Sequence, residues 1–95
     1  MKLSTEEIEQ RLSALPEWTL AGGKLHREYK FPDFGVAIGF FAESAPAIEE
    51  MDHHPEWSNV YNRVTVDLSS HDAGGVTERD FRLARVLEGI ALRLL

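Results

Sequence analysis

The segment Trp57-Ser-Asn-Val-Tyr-Asn-Arg-Val-Thr-Val-Asp-Leu-Ser69 decides the architecture. Val64, Val66 and Leu68 alternate with Arg63, Thr65 and Asp67. That alternation suits a strand with one apolar and one wet face, not a helix. Trp57–Tyr61 and Val64–Ser69 therefore read as a hairpin turning near Asn62-Arg63. Upstream, Trp18–Leu20 and Leu25–Phe31 flank Ala21-Gly22-Gly23-Lys24, a second hairpin whose glycines supply positive φ in the turn.

Amphipathic helices surround these hairpins. Ser4 followed by Glu7 is a capping box, Ile8, Leu12 and Leu15 follow at helical spacing, and Pro16 stops the run. Pro32-Asp33 opens a second helix with the stripe Phe34, Ala37, Ile38, Phe41, Ala45 and Ile48. Pro46 inside it removes a backbone hydrogen bond, so a bend or break is expected near Ala42–Pro46. Thr77 with Asp80 caps a third helix, lined by Phe81, Ala84, Leu87, Ala91 and Leu94. Leu83, Val86 and Ile90 widen that stripe, which suggests an oligomer contact. The expected fold is α+β, a single domain over residues 1–95 in the order α-β-β-α-β-β-α. It has a four-stranded antiparallel sheet with three helices on one face.

Composition narrows the function. Ten Lys+Arg against sixteen Asp+Glu give a formal charge of −6, and the basic residues are scattered. Such a chain repels phosphate backbones and anionic lipid, so neither nucleic acid nor membrane is an expected partner. Cysteine is absent, which excludes a disulfide framework, a thiolate metal site and a cysteine nucleophile, and fits a cytoplasmic location. No basic region followed by an apolar run marks a signal peptide, and the longest apolar stretches fall short of a membrane span.

Glu49-Glu50-Met51-Asp52-His53-His54-Pro55-Glu56-Trp57 is the densest chemical candidate, and His71 follows after the hairpin. His26, in a strand, has no evident polar company and reads as a surface residue. If the second helix persists to His53, Glu49 lies one turn below it. Pro55 disfavours helix at His54, so the chain must turn there. Three readings of the cluster stand. Carboxylate-paired imidazoles suit acid–base work near neutral pH. Histidines at a helix C-terminus also stabilise the dipole and need do nothing else. Three histidines and a carboxylate could hold zinc, but adjacent histidines rarely converge on one ion, and metal ranks last. Trp57 is either core or the wall of a flat ligand site. Asp80 reads first as a helix cap and Arg79 as a solvated residue.

Glu49, His53-His54-Pro55, Tyr61, His71 and Asp80 stand in the order and spacing typical of the pterin-4a-carbinolamine dehydratase family. With the phrase Asp52-His53-His54-Pro55-Glu56-Trp57 and Asn59-Val60-Tyr61, the whole chain resembles that family. The resemblance implies dehydration of a 4a-hydroxytetrahydropterin to quinonoid dihydropterin, downstream of a pterin-dependent aromatic amino acid hydroxylase, with no metal or other cofactor. It implies that His53 and His71 act as acid and base and that His54 positions the ring. Glu49 would orient an imidazole, His53 first, and Asp80 would orient His71 or shape the pocket. Trp57, Asp52 and Arg79 would contact the pterin by stacking or at its polar edges. It implies a homodimer or homotetramer, built through the sheet edge and helices. Two alternatives accompany it: a non-enzymatic dimerisation cofactor of the same fold, or a relative acting on another pterin, as in molybdopterin metabolism.

Overall fold

The computed structural model describes every residue, Met1–Leu95. In chain order the elements are α1 (Thr5–Leu12), β1 (Thr19–Ala21), β2 (Lys24–Lys30), α2 (Phe34–Met51), β3 (Glu56–Val60), β4 (Arg63–Leu68), a 3-10 turn (His71–Ala73) and α3 (Glu78–Leu94). The four strands form one antiparallel sheet in the order β1-β2-β4-β3. The expected order α-β-β-α-β-β-α is therefore the observed one. Each strand shifts by a residue from its expected limits. The second hairpin turns at Tyr61-Asn62, where Tyr61 adopts φ 51° and the Asn59 amide donates to the carbonyls of Tyr61 and Arg63.

The helices cover one face of the sheet. Leu25, Tyr29, Val64, Val66 and Leu68 point towards them and are buried. Tyr29, Phe31 and Phe40 form an aromatic cluster with ring centroids 5.2–5.6 Å apart. This cluster selects the buried face of α2, which is Ala37, Phe40, Ser44 and Ile48. The expected stripe is thus corrected: Phe34, Ile38 and Ala45 are exposed, and Phe41 is half-buried. Apolar residues surround this helix on most sides, so periodicity alone could not choose the face.

α2 also runs through Pro46 without the expected break. Ala42 and Pro46 are both exposed, so the carbonyl that loses its donor can be hydrated. In α3, Leu83 is fully buried in the chain's own core, so that part of the wide stripe needs no partner copy. No helix is long and apolar enough to cross a membrane.

The open sheet face carries the cross-strand polar residues. His26 is not the isolated surface residue expected. Its Nδ1 lies 2.8 Å from Asp67 and its Nε2 3.0 Å from Glu28. Asp67 is its cross-strand partner, and Glu28 follows two residues on along the same face. A neutral imidazole has only one N–H, so both contacts are satisfied as donations only by the protonated ring. The bonds to Glu28 and then Asp67 raise the His26 pKa, against a smaller opposing effect of burial. With the folded value raised, the stabilisation is complete below the unfolded pKa of about 6.5 and is lost as pH rises through the folded value. Urea midpoints are expected to fall as pH rises above about 6.5, and a His26→Gln variant should flatten that fall. Parallel profiles for the two proteins would refute the assignment.

Candidate functional site

α2 ends at Met51, and Asp52 takes a left-handed conformation (φ 49°, ψ 45°) as its C-cap. This sharp exit turns His53 into the protein and leaves His54 outside. It also corrects the expected pairing of Glu49 with His53. The helix stops before His53, so the one-turn register is broken, and Glu49 Oε1 lies 3.2 Å from His54 Nε2 instead. Asp52 itself is exposed, and its backbone N–H donates to the Glu49 carbonyl at 3.2 Å.

His53 is 8% exposed, and its Nε2 lies 2.5 Å from Oδ1 of Asp80, which is completely buried. Asp80 therefore faces His53 rather than His71. Its Oδ2 accepts from the Thr77 backbone N–H at 2.9 Å and from the Ser70 hydroxyl at 2.9 Å. The same carboxylate thus closes the capping box of α3 and orients an imidazole. With Oδ2 filled by donors, Oδ1 is left to accept from His53, so Nε2 carries the proton and Nδ1 is the free nitrogen. Ser44 Oγ is the one buried side-chain polar atom without a partner, so the group around Asp80 is fully satisfied.

His71 begins the 3-10 turn one residue after Ser70, and its side chain is 87% exposed. Its Nε2 lies 3.9 Å from Glu56 Oε2. Arg79 donates to Asp72 at 2.5 Å and braces the same turn. Trp57 is half-buried and packs edge-on against Phe41, with centroids 4.4 Å apart. No three His, Asp or Glu side chains converge to hold a metal ion.

A family model described as Pterin 4 alpha carbinolamine dehydratase matches residues 1–90. The chain belongs to the pterin-4a-carbinolamine dehydratase family. It is 56% identical over 90 residues to a protein of Solibacter usitatus named "Putative pterin-4-alpha-carbinolamine dehydratase", covering 95% of each chain. A protein of the same name from Burkholderia cenocepacia is 52% identical over 92 residues, covering 95% of this chain and 90% of the relative. The crystal structure of a "transcriptional coactivator/pterin dehydratase" from Brucella melitensis superposes with a TM-score of 0.91. It is 44% identical and covers 96% of this chain and 99% of the other.

In this member of the dehydratase family, neighbours of the motif complete the arrangement. Glu56 accepts from Lys24 Nζ at 2.5 Å while facing His71. The Lys24 hydrogen bond holds the Glu56 carboxyl below the usual carboxylate range. Ser70 is buried beneath the turn. Neither residue was singled out from the sequence. Glu56 was visible in the histidine-rich run, but its link to Lys24 needs the sheet. Ser70 has no local signal at all. A hollow beside His71 is walled by Gly22, Gly23, Lys24, Ser69, Gly74 and Gly75, largely backbone. A second hollow lies between Glu28, Lys30, Ser58 and Arg63, and none of His53, His54 and His71 lines it.

Proposed function

We propose that this protein dehydrates a 4a-hydroxytetrahydropterin to quinonoid dihydropterin and water. The C4a–O bond breaks, N5 gives up its proton, and the C4a=N5 double bond forms. No electrons are exchanged. The observation that carries this reading is the buried His53–Asp80 contact, in a chain of this family. It orients one imidazole and leaves Nδ1 free for proton transfer. His71, open to water and facing Glu56, is the second proton carrier, so acid and base duties fall to these two residues. His54, held by Glu49, positions the ring. Trp57, Arg79 and Asp52 act more remotely: Trp57 walls the site, Arg79 braces the His71 turn, and Asp52 sets the exit of α2. The substrate under this reading is the tetrahydrobiopterin carbinolamine left by an aromatic amino acid hydroxylase, returned to the cofactor pool.

The test is dehydration of chemically generated 4a-hydroxytetrahydropterin, followed by ultraviolet absorbance with EDTA present. Acceleration above the spontaneous rate is expected. A rate equal to the spontaneous one overturns the reading and points to partner binding. Self-association belongs to the same proposal. Phe34 and Ile38 are 50% and 41% exposed one turn apart on α2, apolar surface that a second copy would cover. Sedimentation equilibrium is expected to return a mass above that of one chain, and a monomer at working concentration would contradict it.

A further inference from the structure

We infer that Ser70 is a positioning residue that ties the two proton-carrying histidines to one buried carboxylate; this rests on the proposed dehydratase reading. Ser70 is 1% exposed, and its only hydroxyl proton is donated to Asp80 Oδ2 at 2.9 Å. Its oxygen lies 2.8 Å from Thr77 Oγ1. Because the Ser70 proton is committed to Asp80, Thr77 must be the donor in that second bond. Thr77 Oγ1 in turn accepts from the Arg79 backbone N–H at 3.2 Å. The donors therefore run in one direction, from Arg79 N–H through Thr77 and Ser70 to Asp80. Each bond polarises the next. The chain ends on the carboxylate whose other oxygen fixes His53.

The backbone of Ser70 serves the other histidine. Its N–H donates to the Gly75 carbonyl at 2.9 Å, and its carbonyl accepts from the N–H groups of Ala73 and Gly74 at 3.1 and 3.0 Å. These bonds close the turn that begins at His71. One residue thus steadies the carboxylate that holds a buried imidazole and anchors the loop of an exposed one. Removing the hydroxyl leaves the backbone bonds in place, so the loss should fall on His53. With one donor fewer on Oδ2, the carboxylate is freer to rotate, and its Oδ1 holds the His53 Nε2–H less firmly.

The test compares wild type, Ser70→Ala and Ser70→Thr by two readouts. The first is the nitrogen-15 spectrum of the His53 ring, which reports on the Nε2–H bond to Asp80 without any turnover. Wild type and Ser70→Thr are expected to share one Nε2–H resonance, and Ser70→Ala to show it shifted and broadened by the loosened bond. The second is dehydration kinetics, where Ser70→Ala should lower kcat about tenfold with KM little changed and Ser70→Thr should restore it. Should Ser70→Ala not fold, Ser70→Cys, a weaker donor of similar shape, carries both measurements. Unchanged ring nitrogens in the folded variant overturn the inference even if kcat falls. A wild type without dehydratase activity overturns the functional reading alone, because the ring-nitrogen comparison still reports on Ser70.

Discussion

Replacing His53 by alanine is expected to lower kcat roughly 100- to 10,000-fold, the range in which a positioned acid or base contributes. The argument is geometric. His53 alone among the four histidines is buried and bonded to a buried carboxylate. Its ring is held in one tautomer before substrate arrives, so no reorganisation is needed during proton transfer. His54→Ala is the matched control. That ring is exposed and its side-chain hydrogen bond is to Glu49, so its loss should raise KM and leave kcat within a few-fold. Both variants are measured by initial rates over a range of carbinolamine concentrations, with circular dichroism as a check on folding. A His53 variant with full kcat, or a His54 variant that loses kcat instead, would reverse the assignment of roles.

Glu88→Ala is expected to cost about 3 kcal/mol of stability, a fall in Tm of roughly 15 °C for a domain of this size. Glu88 Oε1 accepts from the Trp18 indole at 2.8 Å, the Tyr29 hydroxyl at 2.7 Å and Arg27 Nε at 3.1 Å. Its Oε2 accepts from Arg27 Nη2 at 3.3 Å. The Arg27 guanidinium also stacks 4.2 Å above the Tyr29 ring. One carboxylate therefore fastens α3 to β2 and to the entry of β1. Its loss strands four donor groups on three side chains, including an arginine side chain only 11% exposed. That stranding, rather than the ion pair's net worth, sets the magnitude. Burial pushes the Glu88 pKa up, but the bonds from Arg27, Tyr29 and Trp18 outweigh it and the net shift is downward. A lowered folded-state value means the stabilisation is present above the unfolded pKa of about 4.3 and is lost as pH falls through the folded value. The gap between wild type and variant in urea melts should be widest near neutrality and narrow in acid. A neutral-pH difference below about 1 kcal/mol would show that water replaces the carboxylate without loss.

What could be read from the sequence follows from how local each signal is. The alternation in Val64–Leu68, the glycines at 22 and 23, and the caps at Ser4, Asp33 and Thr77 each depend on a few consecutive residues, and all reappear in the structure. Element order follows from them. The face of α2 does not, because Phe34, Ile38, Phe40 and Phe41 offer several apolar stripes. The choice was made by Tyr29 and Phe31, from another element. The same limit applies to the site. The spacing of Glu49, His53, His54, His71 and Asp80 marked the residues, but not which carboxylate meets which ring.

By itself, the sequence determined the α-β-β-α-β-β-α order and the capping box that Asp80 closes, since each is written in residue spacing. Only the tertiary structure decided that Asp80 holds His53, that Glu49 holds His54, and that Ser70 and Glu88 join distant elements. The His53–Asp80 contact spans 27 residues and those of Glu88 span 59 to 70. Ser70 reaches 7 and 10 residues and Glu49 only 5, across a helix end. All rest on hydrogen-bond geometry. A carboxylate's partner is whichever donor folding brings within about 3 Å of it, and sequence distance carries no information about that.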